Sequence, residues 1–134
     1  MITEDYCSFE VAKLLKEKGF DEPYCNCYLL LDEGGYTEVE MTDECHQDER
    51  YDSEDSSWKF GTLLLRPTHQ MALKWLREVH AICIEVCRNI NTFYYSYRVI
   101  QGASFVKLLD WSDSYDIYEQ AVEAALLYVL KNLI

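Results

Sequence analysis

The chain has 134 residues, with 24 Asp+Glu against 12 Lys+Arg and a net charge of −12; at this length folding hides roughly 68% of the extended chain's surface, which suits a single domain, 1–134. Hydrophobic residues at 49% and charged residues at 27% exclude a wholly disordered chain, and 5 Gly with 2 Pro exclude a collagen-like or linker-dominated one. The longest apolar run, residues 124–130, is far short of the roughly 18 residues that a membrane span needs, so no membrane partner is expected.

Ser8 is a good N-cap for a first helix over 9–18, in which Val11, Leu14 and Leu15 share a face and Gly19 can take the left-handed position past the end. Residues 25–31 are apolar and strand-like, Asp32-Glu33-Gly34-Gly35 supplies turn chemistry, and 36–41 alternate with Glu38 and Glu40 facing outward, which reads as a β-hairpin. Residues 42–57 carry many like charges without a usable period and predict a solvated acidic loop. Pro67 at N1, or Thr68 as cap, opens a second helix ending near His80, with Ala72, Trp75, Leu76 and Val79 as its buried stripe.

Ile82, Ile84 and Val86 then alternate with Cys83, Glu85 and Cys87 at the period of a strand. A turn at 89–91 leads into 92–100, where Phe93, Tyr95, Tyr97 and Val99 share a face, and Gln101-Gly102-Ala103 turns the chain into 104–109, giving a three-stranded meander. Asp116 is the expected cap of a last helix, with Glu119 at N3 and an apolar stripe from Ile117 to Leu133. About 17 helical residues span about 25 Å, enough to cross a small three-stranded sheet. The sum is an α+β fold, α-β-β-α-β-β-β-α, with an antiparallel sheet and helices packed on one face. Its C-terminal half resembles in topology a double-stranded-RNA-binding fold. The lysines which that fold uses at the start of its final helix are replaced here by Asp113, Asp116 and Glu119, which repel phosphate, so the topology is kept and the RNA function rejected.

Charge is concentrated. Residues 32–55 hold eleven acids and one base, Arg50, for a net −10; the remainder holds thirteen acids and eleven bases, for −2. Without a cluster of Lys and Arg, nucleic acid is a poor partner, and a protein with a basic surface is the better one. The residues expected to meet it are Asp43, Glu44, Asp48, Glu49, Asp52, Glu54 and Asp55, joined by Tyr94 and Tyr97, since eleven tyrosines are many for this length and divide between sheet packing and interface anchoring. Met1-Ile2-Thr3-Glu4-Asp5 is not the start of a signal peptide, so a cytoplasmic location is expected, with the six cysteines as free thiols.

Cys25-x-Cys27 with Cys45-His46 assembles enough soft ligands for zinc, but the spacing is not the C-x2-C of ribbon or finger sites; buried thiols are the plainer reading and no metal is assigned. The carboxylates of 48–55, and Asp110, Asp113 and Asp116, lack the mid-loop glycine and closing glutamate of an EF-hand and read as solvated loop and helix cap. Of the three histidines, His69 and His80 sit at opposite ends of one helix, about 16 Å apart, and cannot serve one substrate atom. No G-x-S-x-G, P-loop, H-E-x-x-H or C-x-x-C occurs. No catalytic residue and no cofactor follow from these residues.

Three stretches, YCSFEVAKLLKEKGFD at 6–21, PTHQMALKWLREVH at 67–80 and YDIYEQAVEAALL at 115–127, resemble a family of small, uncharacterised proteins of gut Bacteroides-type bacteria and their phages. The resemblance implies a mobile-element setting, in which small acidic proteins act as inhibitors of host systems, and implies nothing about mechanism. The expected function is therefore a non-enzymatic cytosolic interaction protein docking an acidic surface on a basic partner, of inhibitor or DNA-mimic type. Two alternatives stand beside it: a small-ligand binder or enzyme with a pocket between sheet and helices, and a homodimer formed through the last helix or a free strand edge.

Overall fold

A computed structural model describes residues 2–52, 60–107 and 114–134. The fold class is α+β, with three helices and seven strands among the described residues. The strands belong to two antiparallel sheets, one of four strands and one of three. The chain gathers into two units, Tyr6–Thr68 and a second made of His69–Ile134 with Met1–Asp5.

The first unit opens with α1, Phe9–Glu17, whose entrance is capped as the sequence predicts: the Val11 N–H donates to Ser8 Oγ at 3.2 Å. Gly19, at φ +91°, ends it in the left-handed conformation, and the Phe20 N–H closes back on the Leu15 carbonyl at 2.9 Å. The hairpin follows as β1, Asn26–Leu31, and β2, Tyr36–Val39, in the register Leu30↔Tyr36 to Cys27↔Val39. Its turn is permitted by Gly34 and Gly35, both at positive φ.

The segment expected as a solvated loop differs from that reading. Arg50–Asp52 form β3, and Phe60–Arg66, unassigned in the sequence, form β4, giving a sheet ordered β2-β1-β4-β3. β4 pairs β1 from Gly61 to Arg66 and β3 on its other side. Its run Leu63-Leu64-Leu65 is buried on both faces, so it lacks the in-out alternation by which a half-buried strand is recognised. Gly61 is required where it stands, since a Cβ there would run into the Leu30 carbonyl of the adjoining strand. On one side of the sheet Tyr28 and Leu64 pack with Ala12 of α1, flanked by Phe9 and Leu30.

The second unit follows the predicted order: α2 His69–His80, β5 Ile82–Arg88, β6 Tyr95–Gln101, β7 Ser104–Lys107 and α3 Tyr118–Asn132, with the strands in meander order β5-β6-β7. The β5–β6 turn is organised by Asn89, whose side-chain oxygen accepts from the N–H groups of Asn91 (2.8 Å) and Thr92 (3.3 Å). α3 buries Ala121, Val122, Ala125, Leu126, Val129 and Leu130, the stripe read from the sequence. Its cap is not Asp116, because the helix starts two residues later: Ile117 holds the cap position, with no side-chain hydrogen bond, and Glu119 falls in the first turn. Among the described residues, no helix is long and apolar enough to cross a membrane.

Candidate functional site: a carboxylate surface on the first unit

The described acidic residues of 32–52 lie on the β1–β2 turn, on β2, on the connection from β2 to β3, and at the end of β3. β2 and β3 are opposite edges of the sheet. Residues 40–49 must therefore travel the width of four strands, about 14 Å, as a strap. Only Cys45 of these ten residues is fully buried; Glu40, Asp43, Glu44, Asp48 and Glu49 are exposed. Gln47 ties the strap down by polar contacts, donating to the Phe20 carbonyl at 3.1 Å and accepting from the Leu65 N–H at 3.0 Å.

Several carboxylates in this region are already answered by the unit's own cations. Arg50 grips Asp32 with both terminal nitrogens, Nη1 at 2.7 Å and Nη2 at 2.5 Å, and its Nε lies 3.3 Å from Asp52. The hydrogen bond from Arg50 holds the Asp32 carboxyl below the usual carboxylate range. Lys16 Nζ reaches Asp48 at 2.5 Å. His46 lies between Glu44 (Nε2, 2.9 Å) and Asp21 (Nδ1, 3.3 Å), and hydrogen bonding to Glu44 first, then Asp21, raises its pKa above 6.5. Arg66 is nearly buried, with its guanidinium 4.1 Å from the Tyr6 ring centroid and 3.8 Å from Glu38.

Of the residues predicted to meet a partner, Glu44, Asp48 and Asp52 are thus engaged internally, while Asp43 and Glu49 are exposed and have no cationic partner among the described residues. Glu54 and Asp55 lie outside the described residues. The structure adds Glu33, in the hairpin turn, and Glu40, just beyond β2, as exposed carboxylates equally without a cationic partner among the described residues. Sequence reading counted both within the acidic stretch without separating them from their paired neighbours, because pairing with Lys16 or Arg66 is set by tertiary distance. Tyr36, half exposed and directly after the turn glycines, stacks on Phe9 at 4.0 Å between ring centroids.

The two tyrosines proposed as anchors separate. Tyr97 is 5% exposed, its ring near those of Tyr115 and Tyr128 and under Lys107 Nζ at 5.5 Å, so it is a core residue of the second unit and offers no docking surface. Tyr94 is 46% exposed and belongs to the β5–β6 tip with Ile90 and Phe93, both more exposed still. That tip is apolar, and Arg88 lies 4.8 Å over the Phe93 ring.

The soft-ligand group also separates. Cys27 Sγ and Cys45 Sγ are 3.5 Å apart, the Cys45 thiol donates to the Cys25 carbonyl at 3.3 Å, and the Cys25 thiol turns toward the Glu22 carbonyl at 3.3 Å. Burial, then the neighbouring Cys45, push Cys25 up to about 12, and burial with the Cys45 hydrogen bond raises Cys27 as well. His46 spends both ring nitrogens on carboxylates. These four residues do not converge as a tetrahedral ligand set.

The second unit contains a pair that sequence reasoning missed. His69 Nε2 and Glu123 Oε1 are 2.8 Å apart, joining residues 54 positions apart, with His69 buried and Glu123 partly so. The His69 backbone N–H donates to the Asp5 carbonyl at 2.9 Å. His80, at the other end of α2, sets its ring edge-on to Trp75 at 4.7 Å. No protein family, no curated protein and no solved structure compared with this chain matches it.

Proposed function

We propose that this is a non-enzymatic cytosolic interaction protein that docks the acidic surface of its first unit on a basic protein partner. The observation that carries the reading is a surplus that internal pairing does not remove. Tyr6–Thr68 hold fifteen acids and six bases, a net −9. Glu33, Glu40, Asp43 and Glu49 are exposed and have no cationic partner among the described residues. Such a field steers a cationic partner and raises its association rate. A mobile-element inhibitor that imitates the charge of DNA fits this chemistry, and the three stretches that resemble small phage-related proteins support that setting.

The test is capture of proteins from a bacterial lysate on the immobilised chain, compared with a Glu33→Gln, Glu40→Gln, Asp43→Asn, Glu49→Gln variant. Raising salt from 50 to about 500 mM shortens the Debye length from above 10 Å to about 4 Å. A true partner is released over that range and is recovered at least tenfold less by the variant. Equal recovery by both chains, or a complex indifferent to salt, overturns the reading.

A further inference from the structure

Cys45 is the single fully buried residue of the strap, and its sulfur rests against that of Cys27, in the strand that pairs both β2 and β4. Cys25 is two residues away but directs its thiol at the Glu22 carbonyl. From this we propose that Cys27 and Cys45 are a thiol–disulfide exchange site, oxidised reversibly by a small disulfide of the glutathione type to a bond that staples the acidic strap to β1. The reading of the acidic surface is not needed for it.

At 3.5 Å the sulfurs are in van der Waals contact, and a bond at about 2.05 Å asks them to close by about 1.5 Å, within the reach of side-chain rotation and a small shift of a loop. Cys45 lies in a connection rather than in a ladder, so movement of the strap is what brings it to the reagent. Its thiolate attacks one sulfur of the small disulfide and expels a thiolate, leaving a mixed disulfide on Cys45. The Cys27 thiolate then attacks the Cys45 sulfur and expels the second. Two protein thiols are oxidised, one small disulfide is reduced to two thiols, and the two protein protons pass to those leaving thiolates. Burial, then the hydrogen bond with Cys45, raises the Cys27 thiol, so the second step, in which the Cys27 thiolate attacks, is slow while the strap is seated and quickens with rising pH.

The folded chain is equilibrated with oxidised glutathione, quenched in acid, alkylated after denaturation and mapped by mass. Expected are a loss of two alkylatable thiols out of the six, a cross-linked peptide pair containing Cys27 and Cys45, and reversal by reduced glutathione. Cys25→Ala is expected to give the same cross-link, whereas Cys27→Ala and Cys45→Ala abolish it. The map of the unmutated chain decides the matter by itself if a variant fails to fold. A glutathione adduct that persists without the cross-link, a cross-link through Cys25, or six alkylated thiols after equilibration overturns the proposal.

Discussion

The two units are of similar length, 63 and 71 residues, and carry six bases each, yet the first has fifteen acids and the second nine. The difference in net charge, −9 against −3, is therefore entirely a matter of added carboxylates. In the second unit three pairs answer charge locally, Arg98 with Glu85 across β5 and β6, His69 with Glu123, and Lys74 with Glu78 one helical turn on, while Glu4, Asp5 and Asp116 are exposed. In the first unit Lys16 and Arg66 each take one carboxylate, Arg50 and His46 take two each, and Glu33, Glu40, Asp43 and Glu49 belong to the exposed carboxylates left without a cationic partner among the described residues. A unit of this size folds without such an excess, as its neighbour shows, and the excess adds self-repulsion. The docking role proposed above accounts for it.

That contrast makes the core of the second unit and the charge of the first the places to intervene. The largest effect is expected from Leu126→Ala in α3, fully buried; removing it costs about 3 kcal/mol by lost transfer energy and cavity formation, read as a shift of the denaturant midpoint. Gly61→Val in β4 of the first unit comes next, at about 2 kcal/mol or more, because the added side chain must displace the Leu30 backbone. Neutralising Glu33, Glu40, Asp43 and Glu49 together works in the opposite direction: at low salt the variant gains up to about 1 kcal/mol, and the gain vanishes in 1 M salt. A loss of stability there would mean that the carboxylates serve the fold, and the contrast between the units would fall.

The smallest effect is the pH dependence. His46 has a folded pKa above its ordinary 6.5, so what it contributes is fully present below 6.5 and is lost as pH rises through the folded value; an NMR titration of its ring should show a midpoint above 6.5 that returns toward it in Glu44→Gln. Asp32 has the reverse sign. Its folded pKa lies below 3.8, so its contribution is present above that value and is lost as pH falls through the folded one, a loss that Arg50→Gln should remove.

Much of the architecture was legible because its periods are clean. The Ser8 cap, the β1–β2 hairpin, α2, the meander and the stripe of α3 all follow from local spacing. β4 was missed because a strand buried on both faces has no alternation, and β3 because three residues in an acidic run say nothing until their partner strand is known. The burial of Tyr97, the Cys27–Cys45 contact and the His69–Glu123 pair depend on residues distant in sequence, and no local pattern announces them. The carboxylate surface was visible as composition, but which of its members are unpaired was not.

The position of β4 bears on how the chain is made. β1 emerges from the ribosome paired only to β2, and its other edge waits for residues 60–66. At 5–20 residues per second the wait is a few seconds, during which a strand rich in leucine stands open to a neighbouring nascent chain. The residues that emerge in that interval include the carboxylates of the strap. Electrostatic repulsion between copies guards the open edge until the strand that closes it arrives.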